Sequence, residues 1–116
     1  MTPREALMSE GLTEDQITYE KDIQIENENG FMSYRMEHGH PYITHFLIYP
    51  EKRDGYNALN LLATFKKEIT EQGFDHFIAE VIPGKEIFSK FFEACLACPK
   101  PYAVANGNEY FLINVR

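Results

Sequence analysis

The chain has 116 residues and a mass of 13.5 kDa, the size of one ordinary domain. Hydrophobic residues make up 44 % and charged residues 25 %, a balance that excludes a disordered tail, a collagen-like chain and a heptad rod. Apolar runs reach only four or five residues, so we expect no membrane-spanning segment. The first residues lack the apolar core of a secretion signal, and we expect a cytoplasmic protein.

Charge is spread unevenly along the sequence. The net charge of −7 divides into −6 for residues 1–50 and −1 for residues 51–116. There is no basic stripe of the kind that nucleic-acid binders use to displace counterions from phosphates, so we expect no nucleic-acid partner. The front half would attract a cation and the back half would tolerate an anion, although an acidic surface also simply keeps a small protein in solution.

Two cysteines, Cys95 and Cys98, form a C-x-x-C motif. Redox sites place this motif at a helix N-terminus, where the dipole activates the thiol, but here it ends a helical pattern just before Pro99. Zinc would need two further ligands, and His38 and His40 lack a finger-like spacing to the cysteines. We therefore predict neither a redox site nor a metal site.

The first half of the chain carries patterns of a short helix followed by antiparallel strands. A capping box at Thr2, with proline in the first turn, predicts the helix. Asn29-Gly30 suits positive φ and predicts a hairpin turn. The predicted elements are a helix over residues 2–11, a helical turn over 13–16, strands over 19–26, 31–36 and 42–49, and turns over 27–30 and 38–41.

After Pro50 the apolar pattern becomes helical, and Gly73 is the expected end of a long helix. The elements predicted from there are a helix over residues 58–72, a buried strand over 77–82, a helix over 84–97, and a closing hairpin of strands over 102–105 and 110–115. The strand-helix-strand unit is a crossover, which forces two parallel strands into the sheet. The predicted fold class is one α+β domain with a mixed, mainly antiparallel sheet, one parallel β-α-β crossover and a C-terminal hairpin. Its parts are an N-terminal helical segment (1–18), a three-stranded antiparallel part (19–50) and a part that holds the long helix, the second parallel strand, a further helix and the hairpin (51–116).

The segment over residues 48–58 joins the central strand to the long helix. Such a loop gathers backbone N–H groups and the positive end of a helix dipole at one point, which makes an anion site suited to phosphates. Lys52 and Arg53 add positive charge. A plain polar loop between a strand and a helix would have a similar composition.

This segment resembles the acetyl-coenzyme A signature of the GCN5-related N-acetyltransferases. That signature is Arg or Gln, two residues, Gly, one residue, then Gly or Ala, after a strand that ends in a hydrophobic-x-Pro step. The matching residues are Ile48 and Pro50 at that step, Arg53 at the basic position, Ala58 at the closing small position, and Leu61 and Leu62 at the paired leucines of the helix. The order of elements over residues 19–115 is similar to that fold.

The resemblance implies transfer of an acetyl group from acetyl-coenzyme A, as co-substrate, to an amine. The coenzyme would enter a gap where the two parallel strands part at their C-terminal ends. The acidic front half would suit a basic amine acceptor or protein partner, and the acids expected to bind it are Glu14, Asp15, Glu20 and Asp22. The residues expected to bind the coenzyme are Leu47, Ile48, Tyr49, Lys52, Arg53, Asp54, Gly55, Tyr56, Asn57 and Ala58.

Amine attack needs a base, because a lysine-like amine has a pKa of ~10.4. Glu80, near the end of the second parallel strand, and His45, in the first, are the two candidate catalytic residues. Strand parity decides which face of the sheet each side chain takes, and a bulge would reverse it. Tyr102 and Tyr110 are candidate proton donors to the departing thiolate.

Three positions depart from the family's pattern. Tyr56 stands at the first glycine, where a side chain crowds the pyrophosphate, and Asp54 places a carboxylate beside the phosphates. Phe92 stands near the position of a tyrosine that protonates the thiolate in that family. These departures favour a second hypothesis, a catalytically degenerate binding or structural module of the same fold, for example a phage accessory or virion-associated protein. An unrelated small α+β protein is the third hypothesis.

Overall fold

The computed structural model describes residues 2–53, 56–81, 103–105 and 108–114. Several sequence predictions fall outside these residues. They are the helix over 84–97, the cysteine motif, Asp54, Gly55, Phe92 and Tyr102. Within the described residues, no helix is long and apolar enough to cross a membrane.

The first helix is confirmed. Helix α1 spans Pro3–Ser9, and the Thr2 hydroxyl accepts the backbone N–H of Glu5 at 3.1 Å while the Glu5 carboxylate accepts the backbone N–H of Thr2. This reciprocal pair is the capping box that the sequence indicated. The helical turn predicted next is also present, as a short 3-10 helix at Glu14–Gln16.

The strand predicted over residues 19–26 begins later than expected. Tyr19–Lys21 forms a 3-10 turn, and strand β1 spans Ile23–Asn27. Tyr19 is 4 % exposed and its ring packs edge-on against Phe31, with ring centroids 5.1 Å apart. Burial of this aromatic ring therefore outweighs the local alternation that favoured a strand.

Strands β2 (Gly30–Glu37) and β3 (His40–Ile48) form the predicted central hairpins with β1. His38 and Gly39 both have positive φ, 52° and 82°, as a two-residue primed hairpin turn requires. The positive φ expected at Asn29-Gly30 is wrong. Gly30 is needed for a different reason, because a Cβ there would lie 2.3 Å from the carbonyl oxygen of Leu47.

The crossover is also confirmed. Helix α2 (Tyr56–Glu71) connects β3 to strand β4 (His76–Val81), which runs parallel to β3. Strands β5 (Ala103–Ala105) and β6 (Asn108–Asn114) form the closing hairpin, and β6 pairs antiparallel with β4. The six strands lie in the order β1-β2-β3-β4-β6-β5, so one parallel pair is embedded in an otherwise antiparallel sheet.

Apolar clusters cover both faces of the sheet. On the α2 side, Phe65 packs edge-on between Tyr34 and Phe77, with centroid distances of 5.1 and 5.0 Å. On the α1 side, the core residues are Ala6, Leu7, Ile17, Tyr19, Phe31 and Leu47. The central strands are therefore held from both sides, and the polar groups between them need hydrogen-bond partners inside the protein.

Candidate functional site

Strands β3 and β4 pair over a short length and then part. Tyr42 pairs with Ile78 and Ile43 pairs with Ala79, and no later β3 residue has a β4 partner among the described residues. Strand β4 nevertheless stays paired with β6 through Val81. The gap that was expected at the C-terminal ends of the parallel strands is therefore present.

A β-bulge lies in β3 at the inner end of this gap, directly after the last residue that pairs with β4. Ser33 faces His45 while the next β2 residue, Tyr34, faces Ile43, which leaves Thr44 as the extra residue. Ile43 and Ile48 both belong to the core on the α2 side although they are five positions apart. The bulge thus reverses the alternation of side chains along β3. This settles which face of the sheet the His45 side chain takes, a point that the sequence left open.

A buried carboxylate holds the bulge. The side chain of Asp22 is 3 % exposed, and its Oδ2 accepts hydrogen bonds from the hydroxyls of Thr18 at 2.6 Å and Thr44 at 2.7 Å. Arg35 lies beside it, with Nε 3.0 Å from Oδ1 as an ion pair and Nη2 donating to Oδ2 at 3.3 Å. Since Thr44 uses its proton toward Asp22, the hydroxyl of Ser33 donates to Thr44, at 2.7 Å.

Asp22 is charged in this setting. Burial alone raises the pKa of Asp22, but the hydrogen bonds from Thr18, Thr44 and Arg35, together with the charge of Arg35, outweigh burial and hold the pKa below its usual value of 3.8. Asp22 was expected to help bind a basic acceptor, and that role stays a prediction. Its carboxylate is buried and bonded to Thr18, Thr44 and Arg35, partners that the local sequence pattern does not reveal.

His45 lies on the face of the sheet where Thr44 bonds to the carboxylate of Asp22. It is 7 % exposed, and its Nε2 accepts the backbone N–H of Thr18 at 3.0 Å, so Nδ1 carries the proton of the neutral ring. Burial lowers the pKa of His45 below 6.5, and the nearby carboxylates of Asp22 and Glu20 only partly oppose it. The lone pair that a general base would use is thus occupied, and the ring holds residue 18 against β3. A catalytic role for His45 stays a prediction.

Glu80 stands where the two strands separate, one residue beyond the last pair. Phe77 and Ala79 point into the core on the α2 side, so alternation places Glu80 on the opposite face, the face of His45. Its Oε2 accepts from the hydroxyl of Tyr42 at 3.0 Å and its Oε1 from the side chain of Asn108 at 3.1 Å. Burial and the adjacent carboxylate raise the pKa of Tyr42, so its hydroxyl keeps its proton as a donor.

The loop after β3 is fixed by its own side chains. Pro50–Lys52 forms a 3-10 turn, and Nε of Arg53 donates to the carbonyl oxygen of Ile48 at 2.7 Å. Its Nη2 pairs with Glu10 at 2.7 Å, and Asn57 donates to the carbonyl of Lys52 at 2.7 Å. Arg53, expected to face a phosphate, therefore also ties the end of β3 to the end of α1.

Tyr56 is the first residue of α2, and its side chain is 74 % exposed. The ring therefore does not fill the loop, although its place in the signature suggested crowding. The backbone N–H of Tyr49 bonds to Asn29 on the β2 side at 2.9 Å, so alternation directs the N–H of Ile48 toward the gap. Of the strand residues expected to pair with a ligand, Ile48 has the suitable backbone direction.

Much of the acidic front half is already paired with arginine. Arg4 lies 2.8 Å from Glu20 and 3.7 Å from Glu14, side chains that are at least half exposed. Such pairs are screened by water and contribute little to stability, but they reduce the charge offered to a cation. The acceptor surface expected from the charge pattern stays a prediction.

A histidine pair joins β3 to β4 at the end opposite the gap. Nδ1 of His40 lies 2.6 Å from Nε2 of His76, whose Nδ1 lies 2.9 Å from a carboxylate oxygen of Asp75. Within the described ranges there is no group of three residues that could hold a metal ion. The pair brings the first residues of the two parallel strands together, so the strands diverge only toward their other ends.

The fold has a similar counterpart among solved structures. The chain is similar to the crystal structure of the ribosomal-protein-S18-alanine N-acetyltransferase from Escherichia coli, with a TM-score of 0.59, 11 % identity, and coverage of 96 % of this chain and 76 % of that one. No family model and no curated protein matches the sequence. At this identity the likeness shows the fold alone. The mixed α+β fold of the GCN5-related N-acetyltransferase type, expected from the sequence, is confirmed.

Proposed function

We propose that this protein is a small acetyltransferase that binds acetyl-coenzyme A between β3 and β4 and transfers the acetyl group to an amine. The observation that carries the proposal is the separation of the two parallel strands just after Ile43 and Ala79, in a fold of the acetyltransferase type. Parallel strands that part at their C-terminal ends leave backbone groups without partners, and an extended ligand can satisfy them.

The coenzyme would lie along β3 and end at the loop. The N–H of Ile48 faces the gap and is suited to the amide groups of the pantetheine arm. The N-terminal end of the sixteen-residue helix α2 and the exposed side chain of Lys52 would bind the diphosphate.

Glu80 is the residue best placed to accept the proton of the acceptor. An ammonium group gives one proton to Glu80, and the resulting amine attacks the carbonyl carbon of the thioester. A C–N bond forms, the C–S bond breaks, and the second proton passes to the leaving thiolate, so that the products are an amide and free coenzyme A. The hydrogen bond from Tyr42 keeps the carboxylate oriented toward the gap.

The charge distribution supports a basic acceptor. The front half carries a net charge of −6, and Asp15 is one of its exposed carboxylates. A basic amine, such as a lysine-bearing protein or a polyamine, is the acceptor that this field would attract.

The test is calorimetric titration with acetyl-coenzyme A, followed by turnover with a polyamine or a lysine peptide as acceptor. We expect Glu80→Gln to bind acetyl-coenzyme A like wild type and to lose about 10²- to 10⁴-fold in kcat. The control is Glu71→Gln, which changes an exposed carboxylate at the end of α2. It should leave the affinity for acetyl-coenzyme A and the kcat unchanged. Binding weaker than millimolar, ~4 kcal/mol, would overturn the proposal.

The second candidate function is a degenerate binding module of the same fold. The observation that favours it is that the Arg53 guanidinium already makes two hydrogen bonds within the protein. It donates to the carbonyl oxygen of Ile48 and to the carboxylate of Glu10, and these bonds compete with a phosphate. A folded protein that does not bind acetyl-coenzyme A would support this candidate over the first.

A further inference from the structure

We infer that Asp22 is a positioning residue that fixes the bulge at Thr44 and so aims a backbone N–H of β3 at the thioester carbonyl. The inference rests on the proposed acetyltransferase function. It concerns a residue outside the coenzyme loop and the candidate base, and it gives a role to a buried charge that the proposed chemistry does not otherwise use.

The first step is that Asp22 joins three separate parts of the fold. Its carboxylate accepts from Thr18 in the segment before β1 and from Thr44 in β3, and it pairs with Arg35 in β2. Only 3 % of the side chain is exposed. A buried carboxylate with this many donors holds each of them in one geometry.

The second step is the position of Thr44. It is the residue without a partner on β2, and it follows directly after Ile43, the last β3 residue that pairs with β4. The extra residue of a bulge has no partner in the ladder, which is locally disrupted there. The hydrogen bond from its hydroxyl to Asp22 supplies the restraint that the ladder lacks.

The third step is the chemistry at this point. A thioester carbonyl gains negative charge when an amine attacks it, and a backbone N–H fixed in advance stabilises that charge. By the alternation that directs the N–H of Ile48 toward the gap, the N–H of Phe46, two residues after the bulge, also faces the proposed coenzyme. A loose bulge would leave coenzyme binding intact and lower the rate of transfer.

The Asp22 contact also connects the bulge to the segment before β1. Thr18 donates its hydroxyl proton to Asp22 and its backbone N–H to His45, the residue after the bulge. The bulge is therefore held between a carboxylate and an imidazole that both bind residue 18.

The test compares two variants at the bulge. Thr44→Val keeps the shape but removes the hydroxyl, and Thr44→Ser keeps the hydroxyl. We expect Thr44→Val to lower kcat by about 10²-fold, the effect of losing one oxyanion donor, with KM for acetyl-coenzyme A within twofold of wild type. Thr44→Ser should stay near wild type, and so should Ser33→Ala, which removes the other partner of the Thr44 hydroxyl.

A second measurement does not depend on activity. Amide hydrogen exchange at residues 44 and 45 should be faster in Thr44→Val and in Asp22→Ala than in wild type and Thr44→Ser. If Asp22→Ala does not fold, the comparison of the two Thr44 variants is sufficient. Equal kcat in the valine and serine variants would overturn the inference while leaving acetyl transfer in place. Absence of turnover in the wild type would overturn the proposed function, and this inference with it.

Discussion

The hydroxyl of Tyr42 lies 3.0 Å from a carboxylate oxygen of Glu80 at the point where β3 and β4 separate. One residue comes from each of the parallel strands, so the contact spans the inner end of the gap. It brings a protonated donor and a carboxylate together where the proposed transfer takes place.

Removing this contact should affect catalysis more than stability. We expect Tyr42→Phe to lower kcat by about tenfold, since the carboxylate loses the donor that orients it, and to reduce the free energy of unfolding by about 1 kcal/mol. Steady-state kinetics and urea denaturation measure the two effects. Tyr19→Phe, which removes a buried hydroxyl with no hydrogen-bond partner among the described residues, is the comparison. An unchanged kcat in Tyr42→Phe would show that the hydrogen bond has no part in the reaction.

The buried ring of His45 should make stability depend on pH in the acidic range. Its pKa is lowered in the folded protein by burial, so the unfolded chain binds the proton more readily. The stability that His45 provides is thus complete above pH 6.5 and is lost as the pH falls from there toward the folded pKa. Thermal unfolding of wild type and His45→Gln between pH 7 and 5 measures this. We expect a shallower decline in the variant, and parallel declines would show that His45 does not cause the acid loss.

Tyr34 should make stability depend on pH in the alkaline range. Burial, followed by its hydrogen bond to Glu68, raises the pKa of Tyr34 to about 12, while Gln72 donates to its oxygen at 3.1 Å. A raised pKa favours the protonated folded form, so this stability is complete below pH 10 and is lost as the pH rises to about 12.

The matching variant is Tyr34→Phe. It should lower the free energy of unfolding by about 1–3 kcal/mol at neutral pH, because Glu68 and Gln72 lose their partner. It should also decline less steeply than wild type between pH 10 and 12. Parallel declines would mean that another group causes the alkaline loss.

Gly30 should tolerate no side chain. A Cβ there would meet the carbonyl oxygen of Leu47 at 2.3 Å, so β2 and β3 would have to separate. We expect Gly30→Ala to reduce the free energy of unfolding by about 3 kcal/mol. Gly73→Ala is the control, because its φ of +95° is strained for alanine but nothing lies within 4 Å of the Cβ. It should cost about 1–2 kcal/mol. A smaller loss for Gly30 than for Gly73 would contradict this account.

Local signals determined most of the elements. The capping box at Thr2, the turn at Gly39 and the stop at Gly73 act through neighbouring residues, and each lies at an observed boundary. The strand pattern before and after the long helix was enough to predict the parallel pair. Tyr19 was assigned to a strand because its contact with Phe31 is not visible in local alternation.

By itself the sequence determined the order of helices and strands, the crossover and hence the fold, because periodicity and turn residues act over a few positions. Only the tertiary structure decided that Thr44 is a bulge held by Asp22, and that Arg53 pairs with Glu10. These partners are 22 and 43 positions apart in the chain. A buried charge takes whichever donors folding brings within reach, and no spacing in the sequence encodes that choice.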